Sequence, residues 1–210
     1  MVTYGILLEP DKIISSKIKG LKIIIKSLIG NQLYLDDEPH LSIYHADFLD
    51  ISEWDKELED LIYKIKKDTN KIQIAISDWI IFKEKNINKI TLACNIIEEN
   101  VDMIRRIQKQ VIDHLQSFRN PIIIKRYKDS YESLGDIERK NTIKYGFPYI
   151  GNIFKPHISL ATIDNNKFEI LFNKIKDLCP KGNYNIISLN VYLVDDKDDS
   201  LKLIKKYPLI

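Results

Sequence analysis

The chain has 210 residues, 44% of them hydrophobic and 30% charged, the balance of a soluble globular protein with room for one sizeable core or two small lobes. A formal net charge of +2 argues against a nucleic-acid coat or a membrane-surface protein, so an anionic ligand would need a local basic cluster. Two cysteines, Cys94 and Cys179, are too few for a disulfide framework or a zinc knuckle and are expected to be buried free thiols in a reducing compartment. The opening MVTYGILLEPDK lacks the basic start and long apolar run of a signal peptide, and no segment approaches the roughly 20 apolar residues of a membrane span. A cytoplasmic monomer with no membrane, metal or cofactor is the expectation.

In chain order, TYGILLEP is a short apolar run closed by Pro10 and reads as a buried strand. Ile13, Ile14, Ile18, Leu21, Ile24, Ile25 and Leu28 recur at three- and four-residue steps, which predicts an amphipathic helix ending near Gly30. HLSIYHADF is the next strand, and Ser52 is the expected N-cap of a helix that buries Leu58, Leu61, Ile62 and Ile65. Two alternating strands follow, through Ile72, Ile74 and Ile76 and through Ile90, Leu92, Cys94 and Ile96. A helix then turns Val101, Ile104, Ile107, Val111, Leu115 and Phe118 inward.

PIIIKRY is either a strand or a buried connection, and the polar stretch 128–144 is part helix, part loop. HISLATI is a strand, followed by a helix marked by Phe168, Leu171, Phe172, Ile175 and Leu178. NIISLNVYLVDD and SLKLIKKYPL close the chain as two strands separated by a turn at Asp195–Ser200. Each half thus holds a His-containing strand, then a helix, then a strand pair. That repetition predicts an α+β fold of two related lobes, with mostly antiparallel sheets lining a central cleft and helices outside. With no Gly/Ser/Pro linker, the whole chain reads as one domain.

Two of the four histidines fall in nearly identical stretches, PHLSI at Pro39–Ile43 and PHISL at Pro156–Leu160. Side chains alternate along a strand, so His40, Ser42 and Tyr44 share one face and His157 and Ser159 another, while Leu41, Ile43, Ile158 and Leu160 point to the core. Proline has no N–H to donate and sits naturally where a strand begins. If the lobes face each other, two imidazoles and two hydroxyls line one cleft. Imidazole can serve as base or acid near neutral pH. One could take a proton from water or a ribose hydroxyl while the other protonates a departing alkoxide, and each serine could donate to a non-bridging phosphate oxygen.

The doubled pattern His-apolar-Ser-apolar, as His40-Leu41-Ser42-Ile43 and His157-Ile158-Ser159-Leu160, resembles the signature of the two-histidine (2H) phosphoesterase superfamily. That group includes 2′,5′ RNA ligase-like proteins, 2′,3′-cyclic phosphodiesterases, an exonuclease that trims splicing RNA, and enzymes cutting 2′,5′-oligoadenylate or cyclic nucleotides. YGFPYIGNIFKPHISLA also looks like the lead-in to the second motif in many members. The resemblance implies a bilobal duplicated fold over the whole chain. It also implies metal-independent cleavage of phosphodiesters in nucleotides or RNA, with His40, Ser42, His157 and Ser159 as the site. The gap between the motifs is longer than in compact bacterial members, and residues 119–150 are expected to hold the excess.

Four further residues are candidates for substrate contact: Tyr44, from its strand phase; Tyr149 and Phe154, which could stack a base; and Lys155, which could reach a phosphate. The basic residues Lys125, Arg126, Lys128, Arg139, Lys140 and Lys144 could form a rim that attracts a polyanion. His45 is expected on the opposite face from His40, outside the cleft, and His114 on the polar side of its helix. No His-x-x-x-His or Cys-x-x-Cys spacing suggests zinc. The competing functions are a non-catalytic binder of a nucleotide or RNA end in the same cleft, and a protein-interaction scaffold without a phosphate-dependent ligand.

Overall fold

A computed structural model describes residues 2–69, 71–83, 88–195 and 200–210. Strand β1 (Thr3–Pro10) leads into helix α1 (Lys12–Ile29), whose N-cap Asp11 accepts from the backbone N–H groups of Ile13 and Ile14. Strand β2 (Leu41–Asp47), helix α2 (Asp55–Asp68), strands β3 (Ile72–Lys83) and β4 (Lys89–Ile96) and helix α3 (Glu98–Leu115) complete the first part of the chain. Short helices α4 (Lys125–Asp129) and α5 (Asp136–Tyr145) precede β5 (His157–Asp164), α6 (Asn165–Ile175), β6 (Gly182–Val194) and β7 (Leu201–Pro208). PIIIKRY is therefore a connection running into α4, not a strand. The interior of the turn expected at Asp195–Ser200 lies outside the described residues, although the Asp195 N–H donates to the Ser200 carbonyl across it. No described helix is long and apolar enough to cross a membrane.

Two helix readings need correction. In α1 the buried stripe is Ile14, Ile18, Leu21, Lys22 and Ile25, whereas Ile13, Ile24 and Leu28 are exposed; the apolar repeat is wider than the face that packs. Ser52 does not cap α2. It lies in a 3-10 turn at Ile51–Glu53, where the Asp50 carboxylate accepts from its N–H and hydroxyl, and α2 starts three residues later at Asp55.

All strand pairs are antiparallel, in the order β2-β1-β6-β3-β4-β5, with β7 also paired to β6. The long β6 serves both lobes. Its start, Gly182–Ile186, pairs with β3, and its remainder pairs with β1 and β7. The two sheets expected from the duplicated pattern are thus the halves of one continuous sheet joined at β3–β6. The end strands β2 and β5 approach each other, and the Thr162 N–H donates to the Leu33 carbonyl in the loop before β2 (3.1 Å). One face of the curled sheet packs with the helices in a single core cluster that includes Ile6, Ile18, Leu41, Leu58, Ile104, Ile158, Leu171 and Leu189. Each such fully buried aliphatic side chain contributes about 1.5–3 kcal/mol relative to exposure. Cys94 and Cys179 are free thiols; Cys94 is buried as expected, whereas Cys179 is only half-buried.

Candidate active site

Both histidine strands carry the same irregularity. In β2, Ser42 pairs with Leu7 and Tyr44 with Ile6, which leaves Ile43 as an extra, bulged residue. In β5, Ser159 pairs with Ala93 and Ala161 with Leu92, which leaves Leu160 bulged. The bulge falls at the fourth residue of each His-x-Ser-x motif. Beyond it the alternation changes phase. The face opposite the core carries His40, Ser42, His45 and Asp47 in one strand and His157, Ser159, Thr162 and Asp164 in the other, while Ile43, Tyr44, Leu160 and Ala161 all join the core.

The two imidazoles are held alike. His40 Nδ1 lies 2.7 Å from the Glu38 carbonyl, and His157 Nδ1 lies 2.8 Å from the Lys155 carbonyl. A carbonyl can only accept, so Nδ1 carries the proton in both rings and Nε2 is left as the basic nitrogen. Both rings are half-buried. Burial is the main influence that lowers the His40 pKa to about 4, with smaller contributions from the charges of Lys22 and His157. Burial also lowers the His157 pKa, partly countered by its bond to Lys155. Ser42 and Ser159 are half-buried, and among the described residues neither hydroxyl has a hydrogen-bond partner. The arrangement offers two neutral imidazoles, each two residues from a hydroxyl donor. Among the described residues no three His, Cys, Asp or Glu side chains group as metal ligands would.

The bulge overturns two expectations. Tyr44 does not face the cleft: it is fully buried, packs edge-on to Phe48 and Phe147, and donates its hydroxyl to the Tyr145 carbonyl (2.6 Å). His45, expected on the other face, lies on the same face as His40 and Ser42. Gly5 opposite it has no side chain, so the imidazole lies close across β1 and stacks on Phe147 (ring centroids 6.0 Å). His45 is 6% exposed, its Nε2 has no hydrogen-bond partner among the described residues, and burial lowers its pKa to about 3.

Phe154 is also a correction, since its ring is buried in the core and cannot offer a stacking surface. Tyr149 is exposed at the loop before β5. Lys155 is exposed and supplies the carbonyl that holds His157. Of the basic rim, the Arg126 guanidinium donates to the Tyr34 hydroxyl (2.9 Å) and its charge opposes protonation of His45, whereas Arg139 pairs with Asp136. His114 is turned back on its own helix, with Nδ1 at the Gln110 carbonyl.

Three residues that the sequence did not single out belong to this region. Phe82, on β3, places its ring against that of His157, with centroids 4.6 Å apart. Lys22 is buried in the apolar stripe of α1 and donates to the carbonyls of Tyr34 and Asp37 (2.6 Å each), which fixes the loop leading to His40; burial lowers its pKa to about 8. Gln108 is buried in α3. Its amide donates to the carbonyls of Ile43 and Tyr149 (3.0 and 2.9 Å), and its Oε1 accepts from the Gly151 N–H (3.2 Å). One side chain therefore binds the first bulge and the lead-in to the second motif. A lysine and a glutamine inside otherwise apolar helix stripes were the available signals.

No family model matches the sequence, and no curated protein sequence matches it. Solved structures do match. Usb1 of Kluyveromyces marxianus aligns over 99% of this chain and 97% of its own, with a TM-score of 0.54 and 11% identity. The same protein with uridine monophosphate aligns over the same shares at 0.50 and 11%. TT0787 of Thermus thermophilus aligns over 100% of this chain and 98% of its own, with a TM-score of 0.55 and 10% identity. At such identities the likeness is one of fold. Running from end to end, it shows that this chain shares the α+β fold of these structures.

Proposed function

We propose that the protein is a metal-independent phosphodiesterase acting on nucleotides or RNA: 2′,3′-cyclic phosphates, 2′,5′-linked or cyclic oligonucleotides. The observation that carries this reading is the paired geometry. Two imidazoles at equivalent strand positions are each fixed through Nδ1 to a carbonyl two residues back, and each has a serine hydroxyl two residues on that is unpaired among the described residues. Carbonyl-anchored imidazoles with a free basic Nε2 and hydroxyl companions suit proton transfer at a phosphodiester. The uridine monophosphate in the Kluyveromyces marxianus structure supports a nucleotide ligand for this fold.

In the proposed step, Nε2 of one neutral imidazole accepts the proton of water or a ribose hydroxyl as its oxygen attacks phosphorus. The bond from phosphorus to the leaving oxygen breaks, and that oxygen takes the proton carried by Nε2 of the other imidazole. The roles of His40 and His157 exchange between the forward and reverse reactions. Ser42 and Ser159 donate to the non-bridging oxygens, where charge develops. An anionic phosphate in the cleft favours the one protonated imidazole that the empty site disfavours. Tyr149 and Lys155 are proposed as outer contacts for substrate. The chain is taken as one bilobal domain, with 119–150 as its added segment.

The test is product analysis in a chelator with 2′,3′-cyclic nucleotides, 2′,5′-oligoadenylate and 3′,5′-cyclic dinucleotides. Cleavage should fall roughly 10²–10⁴-fold on His40→Ala or His157→Ala, and less on Ser42→Ala or Ser159→Ala. Full activity in the histidine variants, or activity abolished by the chelator, would overturn the proposal.

A further inference from the structure

The register relates the lobes residue by residue. Gly5 lies between His45 on β2 and Tyr192 on β6, just as Thr91 lies between Thr162 on β5 and Phe82 on β3. His45 and Thr162 are each the fifth residue after their motif histidine. Tyr192 and Phe82 are therefore equivalent: each is third in a row across the face that carries the motif side chains, one row in each lobe.

Neither aromatic has the contacts of a core residue. Both are half-buried, and both fall outside the core cluster and the side chains packed against it. Phe82 places its ring on His157 at 4.6 Å between centroids, tilted by 48°. Tyr192 has no ring partner among the described residues; burial is the main influence that raises the pKa of its phenol, partly countered by Asn190, and the charges of Glu9, Glu38 and Asp37 add to it, the last two lying just before His40. Each motif histidine thus has an aromatic side chain in its own neighbourhood whose face is not taken up by the core.

We infer that Phe82 and Tyr192 are two base platforms, one in each lobe, that stack the nucleobases on either side of the scissile phosphate. The preferred substrate is then a phosphodiester joining two nucleosides. This rests on the phosphodiesterase reading of the same cleft and narrows it. Stacking on an aromatic tolerates every base, because each presents a π face, so the platforms select for two nucleosides and not for a sequence. A 2′,3′-cyclic mononucleotide could occupy only one of them.

The experiment uses the full chain, its Phe82→Leu and Tyr192→Leu variants, and three dinucleoside monophosphates: one complete, one lacking the 5′-side base and one lacking the 3′-side base. The readouts are kcat/KM and, by calorimetry, binding of non-cleavable methylene analogues of the same three. Each variant should lose roughly 10-fold on the complete dinucleotide. That loss should vanish for one abasic compound, and for a different one in each variant. A loss that persists on both abasic compounds would mean that the aromatic only supports the histidine, and would overturn the inference. So would unchanged binding in both variants, failure of the unmodified chain to bind the complete analogue, or a preference for cyclic mononucleotides. Side-dependent binding without cleavage would uphold the platforms and overturn the phosphodiesterase; cleavage of cyclic mononucleotides without side-dependence would do the reverse.

Discussion

Replacing Gln108 by leucine tests how the site is held. The substitution keeps the volume and apolar surroundings of the α3 position but removes three hydrogen bonds: to the Ile43 carbonyl, the Tyr149 carbonyl and the Gly151 N–H. The Ile43 carbonyl belongs to a bulged residue and is buried, so losing its donor should cost about 1–3 kcal/mol. The other two groups are partly accessible to water, and about 1 kcal/mol each is reasonable. The sum is about 3–5 kcal/mol, a large part of the 5–15 kcal/mol typical of a domain. Urea denaturation followed by far-UV circular dichroism would measure it. The midpoint should fall strongly with an unchanged m-value, and the proposed phosphodiesterase activity should fall with it, because both motif segments lose a common anchor. A loss below about 1 kcal/mol would refute the reasoning, since the bulge carbonyl would then be satisfied without Gln108.

Two predictions concern pH. His45 has a pKa of about 3 in the folded chain against about 6.5 unfolded, so protonation opposes folding; its stabilising contribution is complete above about pH 6.5 and is lost as pH falls toward 3, by about 3 kcal/mol at pH 4.5. Urea titrations across that window should show His45→Gln losing less stability on acidification than the unmodified chain, and parallel losses would contradict the assignment. The proposed acid–base mechanism needs one imidazole neutral and the other protonated, and both His40 and His157 lie below the usual histidine range. The kcat/KM profile should therefore peak below about pH 6.5 and fall as pH rises through neutrality, and a maximum above about pH 8 would rule this out.

The strands, the main helices and the motif residues were legible in the sequence because each follows a simple period. Ile72, Ile74 and Ile76 alternate, Ile104, Ile107 and Val111 step by three and four, and all of them are buried as expected. The failures have physical causes. Period-two reasoning assumes an unbroken strand, and a bulge at Ile43 moved Tyr44 into the core and His45 onto the motif face. Ile13, Ile24 and Leu28 fit the helical repeat but found no partner surface, which is a matter of tertiary packing. Phe82 could not be linked to His157 because the contact spans two strand pairings whose register no local pattern encodes.

The repeated bulge also explains why the motif reads His-x-Ser-x and then stops alternating. Without it, the side chains at Tyr44 and Ala161 would share the face of the serines, and those at His45 and Thr162 would enter the core. With it, two successive apolar residues anchor each strand immediately after the serine, at Ile43–Tyr44 and at Leu160–Ala161. A bulge also bends its strand and increases the local twist. Two equivalent bulges on the two end strands of the sheet bend β2 and β5 alike just past the serines, which suits strands that approach each other across a cleft. The same local irregularity therefore sets the apolar anchor just after the serine in both strands and turns His45 and Thr162 onto the face that carries the histidines and serines.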